Sequence, residues 1–280
     1  MLIVDTHAHL FSPDEYRYPP KEDPSRPPAG TGTLDHLRRE MNIAGVTGAC
    51  AVQVSGFYGF DNRFIQDMSK LHPDWIAGVV TLDPDDPDTP QNLTAMQRDY
   101  GVRAVRSIRD RNRRYDSPGV RALWRAATDA GLTINVLGRA EDADDLVRVA
   151  TDFPDLPIAL DHSLGLQAGP DVAETLAALG KLAGLKNINA KLSNIANGPE
   201  GCSDGFPCRS FHDQILRVIE LFGPDRCAWG AHFPLERYSP KLTYLQAVQI
   251  YSGELGLSEG DKAAILGQTA NRLYFAGSLK

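Results

Sequence analysis

Eight short apolar runs, nearly all followed by an amphipathic helical pattern, limit what this chain can fold into more than any other feature. The runs are LIVD (2–5), TGACAVQV (47–54), IAGVVTLD (76–83), VRAVRSI (102–108), TINVLG (133–138), PIALDH (157–162), INAKLS (188–193) and CAWGAHF (227–233). Most are continuous rather than alternating, as expected for strands buried on both faces of a parallel sheet. The intervening segments read as helices. Leu34, Leu37, Met41 and Ile43 recur near helical spacing before Gly45, and Ser117-Pro118 is a cap and first turn for a helix that stops at Gly131. Eight such units in 280 residues predict a single domain, 1–280, with the α/β fold of a (β/α)8 TIM barrel, which typically takes about 250 residues. The rival is an open doubly wound sheet. It usually carries a Gly-rich phosphate loop after its first strand, whereas here that strand runs into DTHAHLF, without glycine.

In a barrel, active sites form where the strands end at the C-terminal rim. Four of the seven histidines fall there: His7 and His9 after the first strand, His162 at the sixth and His232 at the eighth. Strands one and eight are neighbours in a closed barrel, so these imidazoles are expected to share one bowl. Residues i and i+2 of an extended segment face the same way, so His7 and His9 can reach one metal ion or one substrate oxygen. Asp5 and Asp161 stand beside rim histidines, either as acceptors for a ring N–H or as caps or salt bridges. His36, His72 and His212 read as surface or helix-terminus histidines.

The fourth strand runs into VRAVRSIRDRNRRYD, with Arg103, Arg106, Arg109, Arg111, Arg113 and Arg114. Guanidinium is the usual bidentate clamp for carboxylate. Arg106, aimed into the barrel mouth, and Arg109 are therefore candidate ligands for an anionic small-molecule substrate, with Tyr58, Asn135 and Lys191 as further candidate substrate-binding residues. Ser193 and Glu236 also stand at or just past strand ends. The long loop 19–33 is expected over the C-terminal face, and it and the 194–209 loop are expected to shape specificity.

The formal net charge of −7 gives no reason to expect nucleic acid or an acidic membrane as partner. No run is long enough for a membrane span, and the first residues lack the pattern of a signal peptide. Cys50 and Cys227 read as buried thiols. Cys202 and Cys208 share a loop and could pair or bind metal weakly. A cytoplasmic, reduced protein is the default expectation. Whether copies form a homo-oligomer is left open.

DTHAHLF at the first strand, VRAVR at the fourth, ALDHSLG at the sixth, WGAHFP at the eighth and the closing AAILGQTANRLYF resemble the amidohydrolase superfamily. The similarity is greatest to the amidohydrolase-related group of 2-pyrone-4,6-dicarboxylate lactonase and sugar lactonases, and it covers nearly the whole chain. The resemblance implies a (β/α)8 barrel that hydrolyses cyclic esters, amides or related bonds, with one or two divalent metals in some members and none in others. His7 and His9 match the group's strand-one pair, His162 its strand-six histidine and Arg106 its substrate-carboxylate arginine. One departure stands out. Where the family usually reads G-S-D-x-P, this chain has Gly230-Ala231-His232-Phe233-Pro234, so the aspartate general base is a histidine. Strand five also lacks the histidine that many metal-dependent members place there.

Three roles for His232 follow. It can be the base that activates water. It can join His7, His9 and His162 around one divalent metal, zinc or manganese. Or it can mark altered chemistry. The expected function is a hydrolase of a lactone-like or related cyclic ester or amide bond, with Arg106 holding a substrate carboxylate. The alternatives are a metal-dependent decarboxylase or lyase on the same barrel, and a ligand-binding homologue without turnover.

Overall fold

A computed structural model describes residues 1–167, 171–193 and 202–280. Eight strands form one parallel sheet in chain order: β1 Val4–Ala8, β2 Gly48–Val52, β3 Ile76–Thr81, β4 Ala104–Ser107, β5 Thr133–Val136, β6 Ile158–Leu160, β7 Ile188–Leu192 and β8 Cys227–Trp229. The β8 side returns to β1 through a parallel bridge between Ala8 and Phe233. There the His9 N–H donates to the Phe233 carbonyl at 2.8 Å and the Phe233 N–H to the His7 carbonyl at 3.1 Å. The expected (β/α)8 barrel is therefore present.

Residues of all eight strands are buried, as the continuous apolar runs require. The flanking helices carry the expected caps. Thr33 and Ser117 each accept a backbone N–H with their side chains, and Gly45 and Gly101 end their helices in the left-handed conformation. Two boundaries matter for the site. β1 begins later than LIVD and runs through His7, while β8 is only three residues long, so His232 stands in the loop beyond it.

Val4, Cys50, Val52, Ala77, Val79, Ala104 and Ala159 pack in one cluster with Tyr274 and Phe275 at the end of the last helix, Thr269–Tyr274. Phe275 and Leu279 also lie against the Gly48 backbone. The cluster is apolar apart from the Tyr274 hydroxyl, which donates to Asn135 Oδ1 at 2.8 Å. The 19–33 loop is tied to the segment after β2 by the Lys21 N–H to Phe57 carbonyl and Ser25 N–H to Gly56 carbonyl bonds. It is tied to the segment after β8 by Arg237, which donates to Ser25 Oγ and the Arg26 carbonyl.

Cys50 and Cys227 are buried thiols, Cys227 pushed up to about 12 by burial. Cys202 and Cys208 form a disulfide with Cα atoms 4.5 Å apart, so the expectation of a fully reduced chain is corrected at this pair: the tight loop brings the two backbones within bridging distance. Among the described residues, no helix is long and apolar enough to cross a membrane. Residues 194–201 of the 194–209 loop lie outside the described residues.

Candidate active site at the barrel mouth

The four rim histidines come together. The His7 ring centroid lies 4.9 Å from that of His9, 4.3 Å from His162 and 5.0 Å from His232, and His162 and His232 are 4.4 Å apart. Local backbone explains how they reach one another. His162, Ser163 and Leu164 all have positive φ, at 55°, 48° and 59°, and His232 has φ 60°. Left-handed backbone costs a non-glycine residue roughly 1–2 kcal/mol, and such strain persists only where the surroundings impose it. Here Ser163 Oγ donates to the Lys191 carbonyl at 3.1 Å, and His162 Nδ1 lies 2.8 Å from Ser193 Oγ. Gly230 is required for a different reason. A Cβ at that position would stand 2.9 Å from Thr6 Oγ1 and 3.0 Å from His7 Cβ, so a side chain would push into the first histidine.

Beneath the rings lies a buried ionic network. Asp161 Oδ1 accepts from Lys191 Nζ at 2.7 Å and from Asn135 Nδ2 at 3.2 Å, and Oδ2 accepts from Arg106 Nε at 3.1 Å. Burial alone would raise the Asp161 pKa, but Lys191 and Arg106 outweigh it and hold the carboxyl at about 2. Asp5 forms a second hub. Its Oδ1 accepts the His7 and Ala231 N–H groups, both at 2.9 Å, and its Oδ2 accepts from Tyr244 Oη at 2.9 Å. Asp5 thereby fastens β1 to the turn that carries His232, while burial raises its pKa.

A hydrogen bond assigns the tautomer of His9. His9 Nδ1 is 2.8 Å from the Val52 carbonyl, so it carries the proton and leaves Nε2 as acceptor. Both ring nitrogens of His7 face a cationic donor, Nδ1 at 3.0 Å from Lys191 Nζ and Nε2 at 3.2 Å from Arg106 Nη2, and Nε2 is also 3.3 Å from His9 Nε2. Lys191, His7, His9 and the Val52 carbonyl thus follow one another at hydrogen-bond distance. Burial, the first cause for each ring, keeps all four imidazoles neutral. It lowers His9 and His162 to about 3, and His7 and His232 fall well below the usual imidazole value. Tyr238 stacks on His232 with ring centroids 4.0 Å apart.

The other expected residues divide. Arg106 is in the site, but each of its guanidinium nitrogens faces protein: Nε on Asp161, Nη1 on the Gln53 carbonyl at 3.4 Å and Nη2 at 3.2 Å from His7 Nε2. The fork expected to hold a substrate carboxylate is turned inward, with its charge paired to Asp161. Arg109 does reach the mouth and lines a cavity of about 470 Å³ with His162, His232, Arg139 and Gln167. Asn135 and Lys191 are fully buried and lie under the histidines rather than along the cavity, because Asp161 draws both inward. Tyr58 is also buried, with its hydroxyl accepting the Ser12 N–H at 2.8 Å. Glu236 lies 3.5 Å from His36, and His36 is buried rather than at the surface, its Nδ1 accepting the Gly32 N–H at 3.1 Å. His72 ends its helix, and His212 begins one with Nε2 2.7 Å from the Pro207 carbonyl. Arg111, Arg113 and Arg114 are exposed and pair with Asp85, Glu141 and Asp145.

Tyr238, Tyr244, Tyr274 and Arg139 belong to the site or its support and were not singled out from sequence. Tyrosines on helices outside the strand ends carry no local signal, and Arg139 sits one residue past the TINVLG run.

The histidines also fit a divalent ion. One ring nitrogen each of His7, His162 and His232 lies within 4.8 Å of the others, and neutral imidazole is the state that coordinates metal. His9 falls outside this group of three, although it was expected in it.

A family model described as amidohydrolase matches residues 4–276. The chain belongs to the amidohydrolase family. Among solved structures, it is similar to a candidate 2-pyrone-4,6-dicarboxylic acid hydrolase from Pseudomonas putida, at 22% identity and TM-score 0.77 over 98% of this chain and 97% of that one. It is similar to an amidohydrolase from Burkholderia multivorans solved with bound zinc, at 21% identity and TM-score 0.77 over 98% and 99%. A 5-carboxyvanillate decarboxylase from Sphingomonas paucimobilis follows at 16% identity and TM-score 0.66 over 98% and 99%. Among curated proteins none matches. At these identities the solved structures bear on the amidohydrolase fold, and the chemistry has to be argued from the mouth itself.

Proposed function

We propose that the protein hydrolyses a lactone-like or related cyclic ester or amide bond of a small carboxylated substrate at the barrel mouth. The observation that carries this reading is the convergence of four neutral, buried imidazoles, two of which, His162 and His232, line an open cavity, in a chain of the amidohydrolase family. His162, which lines the cavity, polarises the scissile carbonyl, and His7 and His9 pack behind it and orient it, or act with it through a metal. His232 takes the proton of the attacking water. Burial and the neighbouring rings hold His232 unprotonated, the form that a base needs at neutral pH. The same depression makes its conjugate acid strong, which suits returning that proton to the leaving oxygen or nitrogen. Asp161, Lys191 and Arg106 hold the His7 ring in place from below. If His7, His162 and His232 hold zinc or manganese, the ion supplies Lewis-acid polarisation of the carbonyl. The zinc on the Burkholderia structure and the cyclic dicarboxylate named for the Pseudomonas protein support the metal and the substrate class.

A decarboxylase is the second reading. It is favoured by the histidine at the strand-eight position, where a carboxylate base is usual in the family, and by the decarboxylase among the structural neighbours.

The test is a panel of carboxylated lactones and carboxylated phenols, read for proton release and for CO2, on wild type and His232→Ala, with metal content measured on the same preparation. Lactone opening that falls about 100-fold or more in kcat/KM in the variant, with the fold intact by circular dichroism, supports the hydrolase. Unchanged turnover in the variant removes the base from the scheme. CO2 release without lactone opening replaces the first reading by the second.

A further inference from the structure

The reading above calls for a substrate carboxylate and leaves it without a partner, because Arg106 is buried, is paired with Asp161 and does not line the cavity. Two other guanidinium groups, Arg109 and Arg139, line the cavity that also meets His162 and His232. They differ in their commitments. Arg109 places Nε 2.7 Å from Asp142 Oδ1, and its Nη2 donates to Asp142 Oδ2 at 2.7 Å and to Glu141 Oε1 at 2.6 Å. Its fork is filled. Arg139 is exposed, and among the described residues no carboxylate pairs with its guanidinium.

Its position is nevertheless fixed. The Arg139 N–H donates to Asp142 Oδ2 at 2.8 Å, so the carboxylate that occupies Arg109 also pins the Arg139 backbone. Gly165, at φ +72°, faces the guanidinium, and a Cβ there would stand 3.4 Å from Arg139 Nη1. A side chain would crowd the space the planar group occupies. Three arginines on this rim, Arg109, Arg113 and Arg139, meet two carboxylates, Glu141 and Asp142. Arg109 and Arg113 are paired with these two, and Arg139 is the one of the three with no carboxylate on its guanidinium among the described residues.

We propose that Arg139 anchors the substrate carboxylate across the cavity from His162 and His232, making it a specificity-determining residue. This rests on the hydrolase reading for the identity of the ligand. The anchor selects an acid whose carboxylate lies away from the bond to be broken. Arg109 acts with it as a positioning residue, holding Asp142 in place.

The experiment is calorimetric titration of the full chain with isophthalate, an unreactive ring dicarboxylate, and with isophthalamide, its uncharged isostere. Wild type binds isophthalate more tightly. Arg139→Gln weakens isophthalate by about tenfold or more and leaves isophthalamide unchanged. Arg139→Lys, which keeps the charge and loses the fork, recovers part of the loss. Arg98→Gln, exposed on an outer helix, matches wild type. Equal isophthalate affinity in wild type and Arg139→Gln, equal weakening of both ligands, or no isophthalate binding by wild type would each overturn the anchor. Lactone turnover is read separately. Absence of turnover, with isophthalate affinity still lost in Arg139→Gln, would remove the hydrolase reading and keep the anchor.

Discussion

Around β1, β6, β7 and β8, joined by Arg106 from inside β4, the ionisable groups of the mouth find their partners inside the protein: Asp161 on Lys191 and Arg106, Asp5 on Tyr244, and His7 between Lys191 and His9. Beyond the ends of β4 and β5, the outer charges stand in water: Arg113 and Glu141 are both largely exposed, and Arg139 is exposed as well. The two halves face one cavity and are built for different work. Charges taken out of water interact strongly and must be matched in advance, which suits groups that have to be in position before a substrate arrives. Charges left in water are screened and cheap to leave unmatched, which suits groups that wait for a partner of opposite sign.

The contrast can be broken most forcefully at its buried pole. Asp161→Ala would leave Lys191 and Arg106 buried without their shared carboxylate. The expected loss is about 3–5 kcal/mol in urea unfolding, and a variant as stable as wild type would mean that the network is not matched as described. The pH dependence of stability is the next largest effect. His9 and His162 sit at about 3 in the folded protein, against 6.5 for an ordinary imidazole. The folded state therefore binds fewer protons than the unfolded chain between those values. Stability is complete above about 6.5 and declines as pH falls toward 3. Asp161, held at about 2, adds a loss in the same direction at still lower pH. Urea midpoints at pH 8, 6 and 5 should fall in that order; a midpoint that rises on acidification would contradict burial of the neutral rings. The smallest effect belongs to the exposed pole. Arg113→Gln removes one partner of an exposed pair, and its thermal midpoint should coincide with that of wild type.

The same contrast explains what could be read from the sequence. The barrel was legible because burial on both faces writes a continuous apolar run for each strand, and because four histidines stand at the ends of those runs. Their convergence follows from closure of β8 on β1. The supports were not legible in the same way. Lys191 reads as a polar residue near a strand end, and only the register that sets it beside Asp161 and His7 makes it a buried partner. Arg106 was placed correctly in the mouth, but Asp161 and His7 turn its fork inward, and no local pattern announces a competitor 55 residues away. Arg139 was passed over for the reverse reason: a lone arginine after a strand resembles any solvated loop residue until its neighbours are known to be committed. The disulfide between Cys202 and Cys208 depends on a turn geometry that the spacing alone leaves open.

The hydroxyl of Tyr274 rises from the last helix to Asn135, and Asn135 holds Asp161. A ribosome makes this chain from the other end. When β7 has emerged, His7, His9, His162 and the charges that orient them have already been synthesised, yet the eighth strand that closes the ring and the tyrosine beneath it have not. The mouth is thus closed only after β8 and the last helix have been made, and a shorter nascent chain holds most of its chemical groups without the architecture to arrange them.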